Sequence, residues 1–216
     1  MKTDRELQQD VLAELKWEPK VNATNIGVEV KKGVVTLSGH VDSLVEKWNA
    51  EQAAKRVIGV KALAIELDVI VPGSSQKSDT EIAIAASEAL KWNVYKLADK
   101  VSIKVEDGVV TLTGAVPWYH ERLSAENLIR YLTGVRGVNN LISIKPSISI
   151  NTVKMDIERA LKRRAHEEAQ QITVAIQGDE VILGGKIHNW QEKSLALDAV
   201  WGVPGVKKVI DHTTFA

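Results

Sequence analysis

The stretch GVVTLSG at residues 33–39 returns at residues 108–114 as GVVTLTG, and a shorter form, EVILGG, stands at residues 180–185. The tripeptide LKW at residues 15–17 returns at residues 90–92, and its offset of 75 residues is the one that separates the two longer stretches. Self-similarity at a fixed offset indicates a repeated structural unit. The chain of 216 residues therefore contains three copies of one unit, the third about 71 residues after the second.

Each copy changes its hydrophobic period in the same order. Apolar residues first recur at helical spacing, as at Leu7, Val11 and Leu15, and then alternate with a period of two, as at Val28 and Val30. A glycine turn follows, and the alternation resumes before a second helical stretch and a final short strand. The predicted fold class is α+β, with three tandem αββαβ domains, each a three-stranded mixed sheet with two helices on one face.

Two changes in composition set the predicted boundaries of these domains. Residues 71–79, VPGSSQKSD, have the proline, glycine and serines of a flexible linker, whereas residues 145–152, KPSISINT, lack glycine. We expect the first domain to fold by itself. The predicted segments are domain one at 1–71, a linker at 72–77, domain two at 78–146 and domain three at 147–216.

Glycine recurs at matching positions, namely the hairpin turn, the end of the second strand and the start of the third. These structural positions are Gly33, Gly39, Gly59, Gly108, Gly114, Gly134, Gly185 and Gly205. The pair Asp107-Gly108 is typical of a two-residue turn with positive φ. Gly178-Asp179 is expected to form the turn of the third hairpin.

Charge and composition argue against several classes of function. Lys and Arg together number 28, as do Asp and Glu, so the chain has no net field that would attract nucleic acid. It contains no cysteine, and its five histidines share no repeat position, so we expect neither a metal site nor a cofactor.

The N-terminal residues lack the apolar core of a signal peptide, and no apolar run approaches the length of a membrane span. A cytoplasmic location is therefore expected, with the periplasm as the alternative.

Three carboxylates share one repeat position, Glu46, Glu121 and Glu192. Ser43 and Asn189 precede two of them by three residues, which is the pattern of a capping box at the start of a helix. A catalytic carboxylate also needs a partner and a cleft. We therefore predict no catalytic residue and no enzymatic activity.

The order of helix, GxVxLxG hairpin, helix and GVxxV strand resembles the BON domain, the transport-associated family named for bacterial osmotically inducible and nodulation proteins. The resemblance covers nearly the whole chain as three tandem copies. The matching positions are Gly33, Val35, Leu37, Gly39, Gly59 and Val60, with Gly108, Val110, Leu112, Gly114, Gly134 and Val135. The resemblance implies a non-enzymatic module associated with phospholipid binding, envelope maintenance and osmotic stress.

The partners expected from this resemblance are phospholipid surfaces or envelope proteins. The alternative is a homo-oligomer without lipid binding, because the outer sheet face combines Thr36 and Thr111 with the apolar Val34 and Val109.

Tryptophan is unusually frequent, with six residues against one phenylalanine. Trp17 and Trp92 end the first helices, Trp48 and Trp201 lie in second helices, and core packing is expected for all four. Trp118, Tyr119 and Trp190 lie where a hairpin is followed by the second helix. They are candidate lipid or partner contacts, and a hydrophobic staple is the other interpretation.

A basic cluster lies on the predicted first helix of domain three and consists of Arg159, Lys162, Arg163 and Arg164. Such a cluster attracts anionic headgroups. Acidic residues flank it, however, so a solvated helix face with internal ion pairs is the competing interpretation.

Overall fold

The computed structural model describes residues 2–93, 97–145, 172–177, 180–203 and 205–216. Domain one contains α1 Asp4–Trp17, β1 Ile26–Lys31, β2 Val34–Val41, α2 Leu44–Arg56 and β3 Ala62–Val69. Domain two contains α3 Asp79–Lys91, β4 Val101–Glu106, β5 Val109–Val116, α4 Tyr119–Arg130 and β6 Gly137–Ile144. Domain three contains β7 Ile172–Gln177, β8 Glu180–Ile187, α5 Trp190–Trp201 and β9 Lys208–Phe215. The predicted first helix of domain three and the turn Gly178-Asp179 lie outside the described residues.

Each domain holds one three-stranded sheet with its strands in sequence order. In the first sheet β1 and β2 are antiparallel, with Val28 opposite Leu37, whereas β2 and β3 run parallel. The third sheet has the same arrangement, antiparallel between β7 and β8 and parallel between β8 and β9. A parallel pair needs a crossover connection, which α2 and α5 provide. The predicted α+β fold class is confirmed.

The core of domain one lies between the sheet and its two helices. Val35 and Leu37 are fully buried on the sheet side. Leu7, Val11 and Leu15 are buried on α1, as the helical spacing predicted. In domain three the apolar side chains of β8 pack against α5, through Val181, Leu183, Ala196, Ala199 and Val200.

The hairpin turn of domain two has the predicted chemistry. Asp107 and Gly108 both have positive φ, at 50° and 76°. The carboxylate of Asp79, at the start of α3, accepts hydrogen bonds from the backbone N–H groups of both residues at 2.9 Å. Asp4 binds the turn of domain one in the same way, through Lys32 and Gly33. The first helix is thus fixed to the hairpin beside it.

Positive φ is found at all eight glycines of the repeat pattern. At Gly114, where φ is 137°, an added Cβ would overlap the carbonyl oxygen of Lys100. The equivalent Gly39 approaches Asn25 in the same way. The second strand can therefore pass this close to the residue before the first strand only without a side chain.

The packing of the chain divides it into two compact units. One holds residues 1–93, 103–112 and 126–139, and the other holds residues 94–102, 113–125 and 140–216. Domain two contributes residues to both units.

Candidate binding surface

The three aromatic residues that follow the hairpins are half-buried. Tyr119 stacks on Trp201 with ring centroids 4.3 Å apart and planes 10° from parallel. Trp190 packs against Phe215 at 5.3 Å, and Trp118 stacks on His120 at 5.9 Å. These contacts favour a packing role, and a binding role for Trp118, Tyr119 and Trp190 stays a prediction.

Trp48 and Trp201 are also half-buried, which is less than the expected core position. The guanidinium carbon of Arg130 lies 5.0 Å from the ring centroid of Trp48. Trp201 combines its stacking on Tyr119 with packing against the core of domain three. Both residues therefore connect the second helix of one domain with that of the next.

Trp17 and Trp92 are among the most exposed large apolar residues of the described chain, at 84% and 89% of their full accessibility. The prediction that they lie in the core is wrong. Leu15 and Leu90 are fully buried at the inward positions of their helices. Two residues further along, a helix has turned by about 200°, so Trp17 and Trp92 point away from the core. The position of each tryptophan relative to the preceding leucine could have shown this.

Lysines accompany these two exposed rings. Lys16 and Lys20 near Trp17, and Lys91 beside Trp92, are exposed. Within the described part of the chain, no ion pair engages any of the three. Their positive charges are therefore available to a ligand in solution.

The acidic residues around Trp17 are paired with Arg56. Its guanidinium donates hydrogen bonds to Glu14 at 2.7 Å and to Glu18 at 2.9 Å, and these hydrogen bonds raise the pKa of Arg56. These ion pairs also connect the end of α1 with the end of α2, so the helix end that carries Trp17 is fixed. Lys16, Lys20 and Arg56 against Glu14 and Glu18 leave this end of α1 with a net charge of about +1. Near Trp92, by contrast, the exposed Glu88 balances Lys91.

The shared carboxylates have structural partners. Glu46, 9% exposed, accepts backbone hydrogen bonds from Asn22 at 2.7 Å and Asp42 at 2.8 Å. Ser43 caps the helix as predicted, but the carboxylate binds the amide one residue before the cap. Glu192 does the same with His188.

In domain two the buried Glu121 pairs with Lys100 at 3.3 Å. All three carboxylates thus bind a backbone N–H group or a lysine of their own domain, which agrees with a role in stabilising the fold.

The basic cluster Arg159, Lys162, Arg163 and Arg164 lies outside the described residues. Among the described residues, no group of His, Asp or Glu side chains could hold a metal ion. The described helices also include none that is both long and apolar enough to span a bilayer.

The family model described as BON domain matches residues 3–70, 78–146 and 149–216. The chain belongs to the BON domain family. One relative is the Osmotically-inducible protein Y of Escherichia coli (strain K12), with 30% identity over 146 residues that cover 66% of this chain and 73% of that protein.

Solved structures that are similar to this BON protein include two of the protein CdsD of Chlamydia trachomatis, described as a structural protein of the Type III secretion system. The first is 16% identical and covers 98% of this chain and 92% of CdsD, with a TM-score of 0.26. The second, the C-terminal domain, is 16% identical and covers 100% of both chains, with a TM-score of 0.27. Scores this low support no inference about function.

Proposed function

We propose that this BON protein is a non-catalytic binding protein for phospholipid surfaces, and that Trp17 and Trp92 are its interfacial contacts. The carrying observation is the nearly complete exposure of both indoles at equivalent helix ends. Exposing a large apolar ring to water is unfavourable, and a soluble chain gains by covering it. Tryptophan suits the boundary between headgroups and acyl chains because it combines an apolar ring with an N–H donor.

The lysines beside the rings supply the second part of this interaction. Lys16 and Lys20 stand next to carboxylates that Arg56 already engages, so a net positive charge faces any ligand at Trp17. Anionic headgroups would complement it. Domain one is therefore expected to prefer anionic membranes more strongly than domain two, where Glu88 balances Lys91.

The expected affinity is modest. An aromatic side chain has roughly 150–250 Å² of surface, and burial of half of each ring at about 25 cal/mol/Å² contributes about 2–3 kcal/mol. Two rings and one net positive charge, at about 1 kcal/mol, give a total of about 5–7 kcal/mol. This is comparable with a single myristoyl chain, which binds reversibly at about 10⁴ M⁻¹.

The biological setting is proposed from the relative. The name of the Escherichia coli protein describes it as osmotically inducible. We extend this to a role in osmotic or envelope stress, in which the tandem domains act at a phospholipid surface.

Vesicle flotation tests the proposed function. The full chain is mixed with neutral phosphatidylcholine vesicles and with vesicles that also contain phosphatidylglycerol. Trp17→Ser with Trp92→Ser should lower binding at least about 100-fold, since each 1.4 kcal/mol is tenfold, without changing the far-UV circular dichroism. Lys16→Glu with Lys20→Glu should reduce only the binding to anionic vesicles, and added salt should mimic this loss.

The matched control is Tyr131→Ser, which removes an aromatic residue that is 56% exposed but lies outside the LKW sequence. It should leave binding unchanged. Loss of binding by Arg163→Glu with Arg164→Glu alone would move the surface to the basic cluster of domain three. No binding to either vesicle, together with an oligomer in light scattering, would contradict lipid binding and favour self-association.

A further inference from the structure

Two stacking contacts involve corresponding residues at the end of a second helix and an aromatic residue near the start of another second helix. Arg130 lies over Trp48 at 5.0 Å, and Trp201 stacks on Tyr119 at 4.3 Å. Arg130 and Trp201 stand 71 residues apart and are the last residues of α4 and α5. Tyr119 is the first residue of α4, and Trp48 lies one turn after Leu44, the first residue of α2.

Each contact thus joins the start of one second helix to the end of the second helix that follows in the chain. We propose that these contacts are a docking joint between successive BON domains, and that the surface at the start of a second helix recognises the last turn of another. The joint is defined by Trp48 with Arg130 and by Tyr119 with Trp201. It is independent of lipid binding, because neither contact includes Trp17 or Trp92.

The chemistry of the two joints is alike although the residues differ. The receiving residue is aromatic and lies in the first two turns of the second helix, Trp48 in one contact and Tyr119 in the other. The arriving position carries a flat group, a guanidinium or an indole, and both kinds of group stack on aromatic faces.

Residues of its own helix hold the Arg130 guanidinium in a fixed orientation. The residue is only 9% exposed. Glu126 and Asn127, one turn earlier on the same helix, accept its hydrogen bonds at 2.6 and 2.8 Å. These bonds fix the orientation of the guanidinium and satisfy donors that would otherwise be buried without partners. The side chain therefore meets Trp48 in one conformation.

A docking joint couples the stability of neighbouring domains, which a flexible linker alone would not do. If domains dock through their second helices, removing a joint residue of one domain must loosen the next domain as well. A residue that packs only within its own domain would change only that domain.

Hydrogen exchange on the full chain, measured by mass spectrometry, distinguishes these cases. Tyr119→Ala lies in domain two, and we expect it to make the amides of β8 and β9 in domain three exchange roughly 2- to 10-fold faster. This factor corresponds to the interaction energy of an aromatic pair. Tyr131→Ala, an exposed tyrosine of the same domain, is the control and should leave β8 and β9 unchanged.

A second set of variants separates the joint from packing inside domain three. Trp201→Ala also removes core contacts of its own domain, whereas Trp201→Arg copies the pair formed by Trp48 and Arg130. Trp201→Arg should therefore keep part of the sensitivity of β8 and β9 to Tyr119→Ala, and Trp201→Ala should abolish it. Exchange changes confined to domain two, or equal sensitivity to Tyr119→Ala in both Trp201 backgrounds, would overturn the proposal.

Discussion

The substitution Gly114→Ala tests the most constrained backbone position of the fold. Gly114 lies in β5, where its φ of 137° is rare for residues with a side chain. An added Cβ would overlap the carbonyl oxygen of Lys100 and would lie 3.1 Å from the carbonyl carbon and 3.2 Å from the Cα of Val101. All three neighbours are backbone atoms at the start of β4, so no side-chain rotation can relieve the overlap.

The cost is the sum of two effects. Holding a non-glycine residue in this region of φ costs about 1–3 kcal/mol. Moving the start of β4 away from β5 loses at least one backbone hydrogen bond, at about 1 kcal/mol. We therefore expect Gly114→Ala to lower the free energy of unfolding by about 2–4 kcal/mol.

Urea unfolding followed by far-UV circular dichroism measures this loss, and hydrogen exchange locates it in β4 and β5. The control is Gly73→Ala in the linker, where an added Cβ meets nothing within 4 Å. It should change stability by less than about 0.5 kcal/mol. A Gly114→Ala protein as stable as the Gly73→Ala protein would refute the close approach of β5 to the start of β4.

Two further predictions concern carboxylates. Glu46→Ala removes the carboxylate that accepts hydrogen bonds from the backbone N–H groups of Asn22 and Asp42, so chemical unfolding should show a loss of about 2–4 kcal/mol in the free energy of unfolding. Glu46→Gln keeps one acceptor oxygen and should lose less of this free energy. Equal stability of Glu46→Ala and the natural protein would contradict this prediction. At Glu81, hydrogen bonds from the Ser78 backbone and hydroxyl and from Lys77 lower the pKa from 4.5 to about 2. The stabilisation is therefore present above pH 4.5 and is lost as the pH falls to about 2. The difference in Tm between the natural protein and Glu81→Gln should be constant near neutral pH and vanish at about pH 2. A difference independent of pH would show that the folded protein does not favour the charged form of Glu81.

Local patterns in the sequence predicted much of the fold. The change of hydrophobic period from helix to strand is a property of consecutive residues, and the positive φ of Asp107-Gly108 follows from the turn type itself. The burial of Leu7, Val11 and Leu15 follows from their spacing on one helix. In domain three the buried Val206 precedes β9, which begins at Lys208, so burial alone does not mark where this strand starts.

The binding surface was less predictable because it depends on contacts between distant residues. Trp17 is an exception: it was expected in the core from its hydrophobicity, although its place two residues after the buried Leu15 on α1 already directs it outward. Tyr119 and Trp201 are far apart in sequence, and their stacking depends on how second helices dock. The hydrogen bond that the Gly33 N–H donates to Asp4 also joins residues 29 positions apart, and no local sequence motif predicts it.

Fluorescence quenching with lipids brominated in their acyl chains shows whether the exposed indoles contact phospholipid. Vesicles with and without bromine are compared for the natural protein and for Trp17→Phe with Trp92→Phe, which keeps an aromatic ring but removes two of the six tryptophans. We predict that bromine quenches part of the emission of the natural protein and none of the emission of the variant. Equal quenching in both proteins would place the lipid contact at another tryptophan and contradict the assignment to Trp17 and Trp92.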